Sequence, residues 1–156
     1  MEREDYCLAF NTLYGWLTIY ATDKGIKEIK FGKQCVKNSD KEKSPVLYKL
    51  KEDILTYLDG NKKRKSFEYS LDVKFSNFQL KLFKALKKNV SYGETISYKE
   101  LANRIKSSPR ACGQALGSNP LPIIIPCHRV IQKNGELGGF GGGIKWKKAL
   151  IDLERV

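Results

Sequence analysis

Cys127 and His128 are the residues best placed to do chemistry in this chain. They sit in Pro120-Leu121-Pro122-Ile123-Ile124-Ile125-Pro126-Cys127-His128-Arg129-Val130, where three prolines stiffen the backbone and an apolar run predicts burial. A base within reach of a cysteine makes it a nucleophile, and a neighbouring cation favours the thiolate. His128 is the only histidine and adjoins one of only four cysteines. Side chains of adjacent residues in an extended segment point to opposite sides, so a direct thiol–imidazole bond is disfavoured and a bridging water is easier to build. A histidine satisfied by backbone in a turn is the plainer alternative. A zinc site would need four ligands from unrelated segments, since no Cys-x-x-Cys pair exists; no metal is expected.

The elements that must position this pair are legible around it. Ser97-Tyr98-Lys99-Glu100 reads as a capping box opening a helix over 98–105, with Leu101, Ala102 and Ile105 inward. Ser108 as N-cap and Pro109 as first helical residue open a second helix over 110–117. Helix, short turn, helix is the outline of a helix-turn-helix. The second helix carries mostly small side chains from Ala111 to Gly117, with Arg110 as its one long reach. Such a surface suits close packing on another helix or close approach to a DNA groove. Six glycines in residues 135–143 predict a loop whose backbone passes close to a flat ligand or to the site, and they lack the frame of a phosphate loop. A final helix over 145–154 presents Trp146, Leu150 and Leu153 inward, and an earlier one is marked by Phe78, Leu82, Ala85 and Leu86.

The first half differs in texture. Residues 7–22 predict a hairpin broken at Tyr14-Gly15, followed by a third strand at 25–31. Residues 33–45 read as a polar loop and 46–58 as a helix stopped by Asp59-Gly60-Asn61, with Lys62-Lys63-Arg64-Lys65 opening a solvated segment. The 156 residues suffice for one domain or two small ones. The net charge of +12 is uneven: residues 1–75 hold 15 basic and 12 acidic side chains, and residues 76–156 hold 14 and 5. A basic second half suits a polyanion such as nucleic acid, although lysine-rich solubility in a heat-adapted protein gives the same composition. No apolar run is long enough to span a membrane, and the acidic start lacks the pattern of a secretory leader, so a cytoplasmic location is expected. Composition leaves open whether Cys7 and Cys35 pair.

Taken together, Ile125-Pro126-Cys127-His128-Arg129-Val130, the upstream Asn119-Pro120, the glycine-rich loop and the helix pair resemble the O6-alkylguanine-DNA alkyltransferases. The resemblance is strong over about 75–156. It implies an α+β chain: a small N-terminal α/β domain over 1–74, RNase H-like, and a mostly helical domain over 75–156 with a winged helix-turn-helix. It further implies DNA repair by direct reversal. The protein would bind the minor groove of double-stranded DNA as a monomer with little sequence preference, flip the damaged base, and move its alkyl group irreversibly to Cys127, without a cofactor. O6-alkylguanine is the implied lesion, with O4-alkylthymine beside it. By motif, Cys127 is the acceptor, His128 its base through a water, and Glu154 the carboxylate orienting the histidine. Tyr98 protonates the leaving guanine and presses the flipped nucleotide's phosphate, and Arg110 fills the hole in the duplex. Ser108, Ala111 and Gln114 join the DNA-binding surface. Asn119 braces the active-site turn, and Arg129, Val130, Gly138, Phe140 and Gly141 support the base pocket. Phe140 and Gly141 replace the tyrosine and serine of some relatives, which removes a hydrogen bond to the guanine.

Two other functions fit parts of the pattern. A DNA-binding regulator would tolerate loss of Cys127 and bind by sequence, yet the second helix offers few side chains to read base edges. A cysteine hydrolase using Cys127, His128 and Glu154 would turn over small esters without DNA, and the positive charge counts against it.

Overall fold

A computed structural model describes residues 5–60 and 66–155. The chain divides into two compact units, Met1–Lys74 and Phe75–Val156. The expected stop at Asn61 and the basic run 62–65 lie outside the described residues.

The first unit is an antiparallel meander of β1 (Tyr6–Thr12), β2 (Gly15–Thr22) and β3 (Gly25–Phe31), followed by α1 (Pro45–Leu58). The expected hairpin and third strand form in register, with Leu8, Ile19 and Ile29 abreast on one face and Phe10 opposite Leu17. That apolar face is covered by α1, which buries Leu47, Leu50, Ile54 and Leu58. Pro45, expected to end the loop, instead opens the helix; its fixed φ suits the first turn and its missing N–H costs nothing there. The other face carries Cys7, Ala9 and Thr18. A loop returns over it: the Thr18 hydroxyl donates to the Gly32 carbonyl at 2.7 Å and accepts from the Gln34 amide at 2.9 Å. Cys7 and Cys35 form a disulfide across this face.

Both outer edges of the sheet are covered over part of their length. Along β1, the Cys7 amide donates to Ser39 Oγ, the Ser39 amide to the Cys7 carbonyl, and the Ala9 amide to Asn38 Oδ1. Along β3, the Ile26 amide donates to the Ser70 carbonyl and the Asp72 amide to the Ile26 carbonyl, making a parallel bridge at Leu71. Gly25 has φ +153, and an added Cβ would lie 2.3 Å from the Ser70 carbonyl oxygen, so this close pass requires glycine.

The second unit is built from α2 (Asn77–Asn89), α3 (Tyr98–Arg104), α4 (Pro109–Gly117) and α5 (Ile144–Arg155), with a two-residue parallel ladder of β4 (Ile96–Ser97) and β5 (Val130–Ile131). Ser76 and Gln79 form a reciprocal capping box at the start of α2. At α3 only half of the expected box exists. Ser97 accepts from the Glu100 amide at 3.0 Å, but the Glu100 carboxylate accepts from Arg104 at 3.2 Å, one turn on, instead of reaching back. Ser108 caps α4 through the Ala111 amide, with Pro109 first in the helix. Leu82, Phe83, Leu86, Leu101, Ala102, Cys112, Ala115 and Leu116 form the apolar contacts of these helices; Phe78 and Ala85, expected inward, are only half-buried. No described helix is long and apolar enough to cross a membrane.

Candidate active site

Residues 121–130 are all buried, as their apolar run and prolines require. Cys127–Arg129 form one turn of 3-10 helix, correcting the extended conformation expected from sequence. The Cys127 amide donates to the Ile125 carbonyl at 2.7 Å and the Arg129 amide to the Pro126 carbonyl at 3.1 Å. With about three residues per turn, neighbouring side chains diverge by about a third of a circle. His128 is thereby directed to α5. Its Nε2 lies 2.8 Å from Glu154 Oε2, and both side chains are almost wholly buried. Among the described residues no protein group hydrogen-bonds His128 Nδ1, which is also buried.

Asn119 braces the turn from before it. Its Nδ2 donates to the Ile125 carbonyl at 3.3 Å, and its Oδ1 accepts from the Leu121 amide at 2.9 Å. Its side chain is also close enough to Cys127 to favour the thiolate. Ile123 within this turn has φ +75, a left-handed conformation that a β-branched residue adopts only under constraint.

The ladder between Ile96-Ser97 and Val130-Ile131 places the start of α3, and so Tyr98, beside the cysteine-bearing segment. Val130 is fully buried within it. The glycine-rich loop crosses Tyr98 on its other side. A Cβ on Gly138, at φ +74, would stand 3.1 Å from Tyr98 Oη, so both the backbone and the close approach favour glycine. An open pocket of about 470 Å³ lies here, lined by Tyr98, Lys99, Pro109, Arg110, Gly113, Gln132, Lys133, Gly138 and Gly139. Arg110, Ser108 and Gln114 are exposed along α4 and Ala111 is half-buried. Phe140 and Gly141 occupy the same loop, and the Gly143 amide closes a turn onto the Phe140 carbonyl; neither residue lines this pocket.

Lys147 is the functional residue that sequence reasoning missed. It is fully buried on α5, and its Nζ donates to Tyr98 Oη at 3.4 Å and to the Gly139 carbonyl at 3.3 Å. Lys147, Leu150, Ile151 and Glu154 fall on one buried stripe of α5 at i, i+3, i+4 and i+7. Two charged residues ending an otherwise apolar stripe were the signal available in the sequence.

The electrostatics follow from burial first. Desolvation pushes the Cys127 thiol up, only partly offset by the Asn119 side chain and the Lys147 cation. The cation facing the sulfur is therefore Lys147, whereas the sequence pointed to the basic residues next in the chain. Burial lowers His128 despite its bond to Glu154, so the imidazole rests neutral. Glu154 falls to about 2: burial opposes its ionisation, but hydrogen bonds from His128 and Arg129 outweigh that cost. Lys147 falls to about 8 by desolvation, and Tyr98 rises by desolvation and the nearby thiol. The resting site is thus a protonated thiol beside a neutral base, and a protonated phenol beside a buried ammonium. It can deliver a thiolate on demand and a proton to a leaving group.

A sequence model described as 6-O-methylguanine DNA methyltransferase, DNA binding domain, matches residues 77–156. A methylated-DNA–protein-cysteine methyltransferase of Saccharolobus islandicus is 38% identical over 143 residues, which is 91% of this chain and 90% of that protein. This chain is a member of the methylated-DNA–protein-cysteine methyltransferase family. An inducible methyltransferase of that family from Bacillus subtilis is 38% identical, over 93% of this chain and 82% of its own. A solved O6-methylguanine methyltransferase from Mycobacterium tuberculosis superposes with a TM-score of 0.79 at 31% identity, covering 97% of this chain and 93% of its own. Another structure from that organism, solved in complex with DNA, gives a TM-score of 0.75 at 32% identity, covering 96% and 93%. The mixed α+β fold is shared with the family's solved members.

Proposed function

We propose that this protein repairs DNA by moving the alkyl group of O6-alkylguanine, and of O4-alkylthymine, onto Cys127. The observation that carries the reading is the buried His128–Glu154 pair immediately beside a buried thiol, with Nδ1 of the imidazole open to accept a proton. Through a bridging water, His128 takes the thiol proton as Sγ attacks the alkyl carbon. The carbon–O6 bond breaks, the alkyl group stays on sulfur as a thioether, and the guanine leaves with a proton from Tyr98. Lys147, hydrogen-bonded to Tyr98 Oη, steadies the phenolate left behind and the thiolate before attack. A thioether is a poor leaving group and the site offers no second nucleophile, so each chain acts once.

The helix pair α3–α4 and the tight turn after β5, where the Gln132 amide meets the Glu136 carbonyl at 2.8 Å, support a winged helix-turn-helix reading. The small residues of α4 enter the minor groove with Ser108, Ala111 and Gln114 against the backbone, Arg110 fills the gap, and the base flips into the pocket beside Tyr98. The three-strand meander followed by a helix supports an RNase H-like first unit. The protein works as a monomer in the cytoplasm.

The test is the mass of the intact protein after mixing with duplex DNA carrying O6-methylguanine. One methyl group located on Cys127, with no further reaction in excess substrate and none in Cys127→Ser, is expected. Continued turnover, or methyl on another residue, sinks the reading.

A further inference from the structure

Glu154 is shared between two partners. Arg129 Nε donates to Oε1 at 2.7 Å and Nη2 to Oε2 at 3.1 Å, while His128 Nε2 meets the same Oε2 at 2.8 Å. The guanidinium is itself held from elsewhere. Nη1 donates to the carbonyl of Val90, at the end of α2, at 3.3 Å, and the group lies 6.0 Å from the Tyr92 ring centre. Arg129 thus ties the carboxylate of α5 to a second element, by a planar fork that fits both oxygens at once.

We propose that Arg129 is a positioning residue for alkyl transfer, holding Glu154 as a fixed anion so that His128 must keep its proton on Nε2 and offer Nδ1 as the base. This rests on His128 being the base, as proposed above. A carboxylate only accepts hydrogen bonds, so an anionic Glu154 admits only an Nε2–H donor. Without the fork, the carboxylate is free to turn or to take a proton. A protonated Glu154 donates to Nε2 instead, which moves the imidazole proton to Nδ1 and removes the base. The charged and titratable groups around the imidazole are Cys127 and Arg129 from its own turn, Glu154 and Lys147 from α5, and Tyr92 from the segment after α2. Glu154 favours a second proton on His128, whereas Arg129 and Lys147 oppose it. Arg129 therefore contributes geometry and also keeps the imidazole neutral.

His128 is the only histidine, so nitrogen-15 histidine labelling of the whole protein reports on one ring without overlap. The wild-type spectrum is expected to show Nε2–H with Nδ1 unprotonated at pH 7. Arg129→Gln is expected to populate the Nδ1–H or cationic form, raise the titration midpoint, and slow methyl transfer roughly tenfold or more, as losing an outer partner of a functional imidazole does. Arg129→Lys keeps the charge without the fork and is expected to fall between the two in both readouts. An unchanged tautomer and titration in Arg129→Gln overturns the proposal even if the rate falls, because the loss is then merely structural. If that variant does not fold, a wild-type ring protonated on Nδ1, or Arg129→Lys matching wild type in both readouts, overturns it equally. Absence of methyl transfer by the wild-type protein, with the tautomer still dependent on Arg129, would refute the repair function and leave standing only the hold of Arg129 on the His128 tautomer.

Discussion

At the scale of single residues, the site works because burial sets each group against its ordinary charge state. Lys147 is the sharpest case: a buried ammonium with a pKa of about 8, hydrogen-bonded to the Tyr98 phenol and close enough to Cys127 to feel its charge. Lys147→Met keeps the length and removes the charge. Transfer to Cys127 is expected to slow on the order of 10²-fold, as when one preorganised donor is removed from a developing anion; single-turnover rates on methylated duplex check this. Glu154 makes a stability prediction. Its pKa is depressed from 4.5 to about 2, so its contribution is present above pH 4.5 and lost as pH falls toward 2. At about 1.4 kcal/mol per unit, the loss is about 3 kcal/mol. His128, with its lowered pKa, adds a loss of the same sign below its ordinary 6.5. Denaturant unfolding at pH 5 and pH 2.5 should show a steeper fall for the wild type than for Glu154→Gln. An equal fall in both would mean that the carboxylate is not held as an anion.

The elements show where sequence was legible and where it was not. Cys127, His128, Glu154 and Tyr98 could be named because a contiguous motif and a family resemblance carry them. The strands, the Ser108–Pro109 helix start and the inward face of α3 follow from periodicity and caps, which are local properties; on α5, Trp146 and Leu150 are buried as expected, but Leu153 is only half-buried. Two features escaped because they depend on contacts distant in sequence or on the finished element. Glu100 was expected to reach back to Ser97 but bonds Arg104, which only the completed helix brings alongside. Lys147 reads as one of several lysines in Lys145–Lys148, and only packing of α5 turns it inward. The short turn at Cys127 escaped too, since a proline fixes its own φ and leaves the residues after it free to extend or to coil. The glycine-rich loop yields a prediction at this scale. Gly138→Ala must find room for a Cβ 3.1 Å from Tyr98 Oη, at a φ alanine disfavours. The loop should lift from Tyr98, and reaction with free O6-benzylguanine should slow along with repair of duplex DNA. A loss confined to the duplex would mean the loop serves DNA binding and leaves Tyr98 undisturbed.

Across the whole molecule, charge and site fall in the same half of the chain. Residues 76–156 hold 14 basic against 5 acidic side chains and also carry every proposed catalytic group. Affinity for undamaged duplex should therefore fall steeply with salt and vary little with sequence, because counterion release supplies it. Titrations at several salt concentrations on unrelated sequences check this, and a site-selective, salt-insensitive complex would favour a regulator instead.

The partly covered edges of the small sheet have a consequence for how the protein behaves in company. An open strand edge is a template on which another chain can add, and sheets left with one tend toward aggregation. Here Asn38 and Ser39 cap one edge and Ser70 to Asp72 the other, while Leu13 and Val36 stand exposed nearby in the chain. The bond between Cys7 and Cys35 holds the capping loop in place. Reducing it leaves the folded sheet one loop movement away from a sticky border, so the crosslink also helps keep the strand edge from recruiting another chain.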